Sequence, residues 1–342
     1  MMNQNPSVVF LSQAIAGRQA KPQVLIICGS GLSGLANSVT ESTKQVIYYK
    51  DIPGFPQVTV QGHSGELVFG QISGVECMIL RGRFHFYEGH SMETCVLPVR
   101  IAKALGCSMM IATNASGGMR PDFNVGDVAV LGDHIGFPTL VGNTPLLGKN
   151  DPELGVRFPA MSNAYDLGLQ RLALRCANEL GFSDFCRTKA TYCCVSGPQY
   201  ETPAECKMLR LLGADCVGMS TVPEVIAARH AGLRTLALSL ITNKVVLPGE
   251  ANPKHASHEE VLLTTEMRGK DLQRLVEQIL SKINHVQDQA ADEADGETAL
   301  KRAVSTAPPE QKAAKRLREL DISALTPLES LQILAELKRL VE

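Results

Sequence analysis

The sequence lacks an excess of charge of either sign. Its 342 residues include 33 lysines and arginines and 35 aspartates and glutamates, so the formal net charge is -2. Proteins that bind nucleic acid usually carry a basic patch or a positive balance. The composition therefore gives no electrostatic support for a nucleic-acid partner.

The sequence also lacks the apolar segments that lead a chain to a membrane. Residues 1–20 have neither the charged start nor the apolar run of a signal peptide. No stretch approaches the roughly 18 uninterrupted apolar residues that a membrane span requires. We therefore expect a soluble, cytoplasmic protein with no membrane partner.

No C-x-x-C pair occurs among the ten cysteines, although this spacing is common in zinc sites and thioredoxin-like motifs. Cys28, Cys77, Cys193 and Cys194 lie in apolar runs that are typical of buried strands. Free cysteine behaves there as a small hydrophobic residue. We expect reduced thiols in a reducing compartment, without structural disulfides or a metal site.

Short apolar runs alternate with helical patterns along most of the chain. The runs typical of buried strands are residues 24–28, 67–70, 77–80, 108–113, 128–131, 190–195 and 235–242. Helical spacing covers residues 91–105, 163–180 and 257–283, and capping-box patterns begin at Thr202 and Thr221. This alternation predicts an α/β fold in which helices flank a mixed, largely buried β-sheet.

The character of the sequence changes near His285. Residues 286–311 contain almost no large apolar groups, and such a composition buries too little surface to order itself. Between Leu328 and Val341, leucines recur at helical spacing and predict a short amphipathic helix. We expect one domain over residues 1–285, a flexible linker over 286–311 and a short helical extension over 312–342.

A glycine-rich loop, C-G-S-G-L-S-G at residues 28–34, follows the first predicted strand and opens a predicted helix. Its G-x-G-x-x-G pattern is typical of dinucleotide binding and would by itself favour a dehydrogenase. However, Asp51 is followed at once by a proline-rich turn, which argues against a continuing βαβ unit. A site for a single phosphate, with Ser30 as a hydroxyl donor, and an ordinary tight turn are the alternatives.

Further segments place polar groups at the ends of predicted strands or the starts of predicted helices. Arg83 and His85 are two residues apart, so in an extended segment they point to the same side and suit an oxyanion. Ser220 stands at the start of a predicted helix, where anions are favoured. The other segments are T-N-A-S-G-G at 113–118, S-G-P-Q-Y-E at 196–201 and L-I-T-N-K at 240–244.

The ordered set of motifs resembles a known family. G-S-G-L-x-G-L, G-R-F-H-x-Y-E-G, T-N-A-S-G-G, F-P-A-M-S, G-P-x-Y-E-T, V-G-M-S-T-V-P-E-V-I-A-A-R-H and S-L-I-T-N-K occur here in family order. Over residues 5–285 the chain is similar to the low-molecular-mass, trimeric purine nucleoside phosphorylases. The resemblance implies phosphorolysis of inosine, guanosine and their deoxy forms to the free purine and (deoxy)ribose 1-phosphate, in purine salvage. It also implies a homotrimer, inorganic phosphate as co-substrate and no metal or organic cofactor.

The resemblance also implies a role for each matching residue. The phosphate ligands would be Ser30, His63, Arg83, His85, Ser220 and the Ala115 backbone. The purine pocket would comprise Tyr200, Glu201, Val217, Met219 and Asn243. The ribose contacts would be Tyr87, Met219, His258 and Phe158, with Phe158 reaching the neighbouring subunit's site. The catalytic residues would be Asn243, Glu201, His85 and His258. Tyr200 is phenylalanine in some relatives, which leaves the details of base stacking open.

Three other functions are to be weighed against this one. A methylthioadenosine phosphorylase would share the fold, but such relatives typically carry aspartate at the position of Asn243. A nucleoside-binding protein that has lost catalysis would be expected to lack some polar site groups, and all of them are present here. The third is the dehydrogenase that the glycine loop by itself favours.

Overall fold

The computed structural model describes residues 2–59, 64–250 and 256–306, with side chains described as far as residue 283. Strands and helices alternate through these residues. The strands are β1 Val24–Cys28, β2 Gln45–Tyr48, β3 Glu66–Ile72, β4 Val75–Arg81, β5 Met109–Gly118, β6 Val128–Gly136, β7 Cys186–Cys194, β8 Cys216–Gly218 and β9 Arg234–Lys244. The helices are α1 Pro6–Ala14, α2 Met92–Leu105, α3 Phe137–Leu140, α4 Leu167–Glu179, α5 Pro203–Leu211, α6 Val222–His230 and α7 His258–Thr306.

The strands form one mixed sheet in the order β2-β3-β4-β1-β5-β8-β7-β6-β9, and β5 also pairs with β9. This additional pairing closes the second half of the sheet on itself. β1 runs parallel to β4 and β5, β5 runs parallel to β9, and β3 runs antiparallel to both of its neighbours. The α/β fold with a mixed, largely buried sheet is therefore confirmed.

The core lies on both sides of the central strands. All five residues of β1 are buried, as expected for a parallel strand that is covered on both faces. Helices α2 and α6 pack against each other on one side, and their apolar residues join the core cluster that contains Leu25 and Ile27. Burial of these side chains stabilises the sheet. The sheet in turn holds the ends of its strands in position.

The glycine-rich loop does not belong to a βαβ unit. It is followed by a short 3-10 helix, Ser33–Ser38, and the next strand, β2, lies at the sheet edge antiparallel to β3. A dinucleotide fold requires a parallel strand reached through a crossover helix. The dehydrogenase interpretation of this loop is therefore wrong.

Of the capping boxes predicted at Thr202 and Thr221, the first forms and the second does not. Thr202 accepts a hydrogen bond from the Glu205 amide, and the Glu205 side chain accepts from the Thr202 amide. At α6 the Thr221 side chain makes no capping hydrogen bond. Thr221 and Glu224 instead face inward and bond to other elements, as described below.

The described residues show neither a group of side chains suited to a metal ion nor a helix suited to span a membrane. No helix among them is both long enough and apolar enough to span a bilayer, and no group of His, Cys, Asp and Glu is arranged to hold a metal ion. All ten cysteines fall within the described residues, and each is a free thiol.

Among the described residues, those up to Asn284 form one compact unit, and the boundary to a second unit falls at His285. Helix α7 continues to Thr306, past the predicted domain boundary at residue 285. The predicted extension over 312–342 lies outside the described residues. The linker and the extension therefore remain predictions.

Candidate active site

One open pocket of about 680 Å³ lies where several strands end at the same edge of the sheet. Twelve of the fourteen residues singled out from the sequence line it: Ser30, Arg83, His85, Tyr87, Ala115, Tyr200, Glu201, Val217, Met219, Ser220, Asn243 and His258. These residues are separated widely in sequence, so the fold brings them together.

The parallel strands explain this convergence. β4, β1, β5 and β9 lie in register, so their carboxyl ends meet at one edge, where ligands of α/β proteins usually bind. Gly117 is paired with Asn243 across the β5–β9 ladder. A Cβ atom at Gly117 would lie 3.2 Å from the Asn243 Nδ2 atom, so glycine leaves room for the carboxamide.

Arg83 is a buried cation whose orientation is fixed by two bonds. Its Nε donates to Glu224 Oε1 at 2.6 Å, and its Nη1 donates to the Thr113 carbonyl at 3.1 Å. The two charged side chains are 2% and 5% exposed. Glu224 belongs to α6 and Arg83 follows β4, so the ion pair ties two walls of the pocket together.

His85 is held by a carboxylate and an aromatic ring. Its Nδ1 lies 2.9 Å from Glu88 Oε1, and its ring stacks on Tyr87 with 4.7 Å between the centroids. Burial lowers the pKa of His85, and the hydrogen bond that His85 donates to Glu88 opposes this shift. Burial thus disfavours the protonated imidazole, and the contact with Glu88 favours it.

Glu88 remains ionised despite its partial burial. Burial alone would raise its pKa, but hydrogen bonds from His85 and Thr59 outweigh this effect and lower the pKa to about 2. Because an ionised carboxylate only accepts hydrogen bonds, the Nδ1 atom of His85 carries the proton that faces Glu88. The carboxylate thereby fixes both the tautomer and the orientation of the ring.

A carboxylate and a carboxamide stand in the same pocket. Burial raises the pKa of Glu201 above its ordinary value. The Asn243 Oδ1 atom accepts from the Thr242 hydroxyl at 3.2 Å, which helps to orient the carboxamide. Glu201 offers an acceptor to a ligand, and Asn243 offers both a donor and an acceptor.

Two of the named residues are not placed in the pocket. His63 lies outside the described residues. Phe158 is 88% exposed and does not line the pocket of its own chain. His258, by contrast, does line it, as the first residue of α7.

The structure adds residues that were given no role from the sequence. Asn114, Ser116 and Thr242 line the pocket, and Glu88 and Glu224 orient its His85 and Arg83. The spacing of His85 and Glu88 contained a signal, because residues three apart meet within one helical turn. Glu224 gave no such signal, since it lies 141 residues from Arg83.

Comparison with known proteins adds independent evidence. Residues 23–281 match the phosphorylase superfamily. The purine nucleoside phosphorylase of Bos taurus is 46% identical over 265 residues, which are 78% of this chain and 90% of that protein. A crystal structure of a Schistosoma purine nucleoside phosphorylase with hypoxanthine has a TM-score of 0.75 at 44% identity and covers 80% of this chain and 96% of that one. A Schistosoma complex with guanosine gives 0.76 at 42% identity, covering 82% and 97%.

Proposed function

Since this chain belongs to the phosphorylase superfamily, as a purine nucleoside phosphorylase of the low-molecular-mass type, we propose that its substrates are 6-oxopurine nucleosides. Inosine, guanosine and their deoxy forms would react with inorganic phosphate. The products would be the free purine and (deoxy)ribose 1-phosphate. Structurally similar relatives hold hypoxanthine, guanosine and, in another case, adenosine, so they support a purine site. The preference for a 6-oxopurine is argued below from Glu201 and Asn243.

One observation carries the proposal: anion-binding groups and base-binding groups share a single pocket. Ser30, Arg83, His85 and Ser220 supply a cation, an imidazole and two hydroxyls for phosphate. Glu201 and Asn243 supply the groups that a purine edge requires. Phosphate and nucleoside would therefore lie side by side, and positioning of this kind lowers the barrier of a two-substrate reaction.

The reaction would proceed through an oxocarbenium-like sugar, the usual route for bond cleavage at an anomeric carbon. The bond between C1′ and the purine breaks with its electron pair on the base, while a phosphate oxygen forms the new bond to C1′. Phosphate charge also stabilises the cationic sugar. Tyr87, Met219 and His258 would hold the ribose, since all three line the pocket.

Asn243 would stabilise the departing base by hydrogen bonds to its ring nitrogen and 6-oxo group. Glu201, when ionised, would accept from the ring N–H of a 6-oxopurine. Adenine presents a bare acceptor at that position, so the carboxylate would oppose it. We therefore expect adenosine to be a poor substrate.

The proposed chemistry needs phosphate but no metal or organic cofactor. We place the protein in the cytoplasm, because its ten free thiols suit a reducing compartment. Its role there would be in purine salvage. The assembly would be a homotrimer in which Phe158 completes the neighbouring ribose site. The 88% exposure of this phenylalanine fits a residue that contacts another subunit.

The test is release of hypoxanthine from inosine as a function of phosphate concentration. We expect turnover that saturates with phosphate and is far slower with adenosine or methylthioadenosine. Asn243→Ala should lower kcat by about 10²–10³-fold, the effect of removing one transition-state donor. Asn178→Ala is the matched control, because Asn178 lies on α4 outside the pocket. Inosine binding without hypoxanthine release would instead identify a nucleoside-binding protein.

A further inference from the structure

Thr221 adopts a backbone conformation that a β-branched residue rarely takes. Its φ is 68° and its ψ is -48°, and the Val222 amide donates to the Ser220 carbonyl at 2.7 Å across it. These values define a γ-turn of the rare, strained type. Thr221 is also fully buried. Strain of this kind persists only where surrounding contacts enforce it, and it is concentrated at functional sites.

The turn directs the Thr221 hydroxyl into a buried chain of hydrogen bonds. Asn114 Nδ2 donates to Thr221 Oγ1 at 2.8 Å, and the Ser239 hydroxyl donates to Asn114 Oδ1 at 2.6 Å. Ser116 Oγ lies 2.7 Å from Ser239 Oγ. At the other end, Thr221 Oγ1 lies 3.2 Å from Ser220 Oγ. The chain thus joins β5, β9 and the start of α6.

Counting donors gives this chain a direction. Ser239 has one proton and gives it to Asn114, so Ser116 must donate to Ser239. Thr221 receives a bond from Asn114, and its own proton is then available for Ser220. With its oxygen accepting from Thr221, the Ser220 hydroxyl can donate either to the neighbouring Tyr192 hydroxyl or to an anion in the pocket. Chains of aligned hydrogen bonds also strengthen one another.

The backbone of Ser220 is fixed separately. Its amide donates to the buried Tyr192 hydroxyl at 3.3 Å, so the amide is turned toward the protein. The hydroxyl is therefore the group through which Ser220 meets an anion. Neither Thr221 nor Ser239 lines the pocket, although Ser220 does.

We propose that Thr221 is a positioning residue: its hydroxyl, aligned by Asn114 and Ser239, holds the Ser220 hydroxyl as a hydrogen-bond donor to inorganic phosphate. The proposal rests on the proposed function, since it takes phosphate as the ligand of Ser220. It predicts that a residue outside the pocket controls phosphate affinity and leaves nucleoside affinity unchanged.

The test compares Thr221→Val with the unchanged enzyme. Valine retains the β-branched shape and removes only the hydroxyl. We expect the KM for phosphate to rise by ~5- to 10-fold, the effect of losing one hydrogen bond, while the KM for inosine stays within about twofold. Titration with inorganic phosphate in a calorimeter, without nucleoside, should show the same loss. Thr221→Ser should restore both values.

Thr235→Val is the matched control. Thr235 in β9 is likewise a buried threonine, and its hydroxyl has no hydrogen-bond partner among the described residues. This variant should leave both KM values unchanged. A general effect of removing a buried hydroxyl would appear in both variants, and that result would overturn the proposal.

Two further results keep the test decisive. If Thr221→Val does not fold, Ser239→Ala replaces it, and a twofold or greater rise in the phosphate KM alone is expected. Unchanged phosphate affinity, or an equal loss for both substrates, overturns the proposal. If the unchanged enzyme binds phosphate without releasing hypoxanthine, the proposed function fails, and the phosphate titrations of the variants still decide the role of Thr221.

Discussion

Glu201 is the residue at which the demands of the fold and of the site conflict most directly. Burial raises its pKa, so the ionised form is disfavoured in the folded chain. Because the folded-state pKa exceeds the unfolded one, the carboxyl favours folding at low pH and opposes it as the pH rises through the raised pKa. An ionised Glu201 therefore comes at a cost in stability.

We predict that Glu201→Gln raises the melting temperature at neutral pH and lowers kcat/KM for inosine by on the order of 10²-fold or more. Glutamine removes the buried charge and also the acceptor that the base N–H requires. Differential scanning calorimetry and steady-state kinetics measure the two effects. The stability gain should shrink as the pH falls, because protonated glutamic acid no longer carries the charge.

Glu205→Gln is the control for this prediction. Glu205 lies four residues later, is exposed, and has a pKa lowered by hydrogen bonds from Thr202. Its neutralisation should weaken the capping box and leave kinetics unchanged. If both variants changed stability in the same direction, the buried charge of Glu201 would not be the cause.

For individual residues, the sequence identified those that face the pocket but not those that orient them. Glu224 occupies the third position of α6, where local spacing indicates a helix cap. The structure instead uses it for Arg83, 141 residues away. Thr221 is likewise paired with Asn114 across 107 residues. Contacts of this separation leave no trace in local spacing.

The strands themselves were largely predictable, because buried parallel strands require continuous apolar runs. The residues at which the strands end were harder to predict. The apolar run at residues 108–113 continues as β5 to Gly118, although the added residues are polar or small. The ladder to β9 extends the strand through this stretch. Tertiary pairing, which local sequence does not encode, therefore built the part of β5 that forms the pocket wall.

The glycine loop approaches β5 more closely than any side chain would allow. A Cβ atom at Gly29 would lie 2.7 Å from the Thr113 carbonyl oxygen and 2.8 Å from the Asn114 Cα atom. Both atoms belong to the backbone and cannot turn away. The loop that carries Ser30 thus depends on this glycine for its position against the strand.

We predict that Gly29→Ala destabilises the fold by about 1–3 kcal/mol, the usual cost of overpacking, and raises the KM for phosphate by moving Ser30. Gly34→Ala is the control, because nothing lies within 4 Å of a Cβ atom there. Thermal unfolding and phosphate kinetics measure the effects. Equal behaviour of the two variants would show that the close approach has no role.

At the scale of the whole molecule, one stretch of the described residues exposes several large apolar side chains. They are Leu140 at the end of α3 and, between α3 and α4, Val141, Leu147, Val156 and Phe158. Where exposed apolar side chains form a contiguous patch, the patch marks a contact with another molecule. The family resemblance predicts that this molecule is a second copy of the chain, with Phe158 at the ribose site.

We predict that Phe158→Ala raises the KM for inosine by about tenfold, the scale of a well-packed aromatic contact, and leaves the phosphate KM unchanged. Leu211→Ala is the control, because Leu211 is 78% exposed but lies on α5. Sedimentation should give three times the chain mass of 36.9 kDa for all variants.

Assemblies that mix two variant chains test the same prediction more directly. Phe158→Ala and Asn243→Ala chains each form defective sites alone, for different reasons. When the two are refolded together, some sites combine an intact Asn243 with a partner's intact Phe158, so activity at low inosine should exceed the mean of the separate variants. Activity equal to that mean would show that each chain completes its own site, and the exposed phenylalanine would then need another explanation.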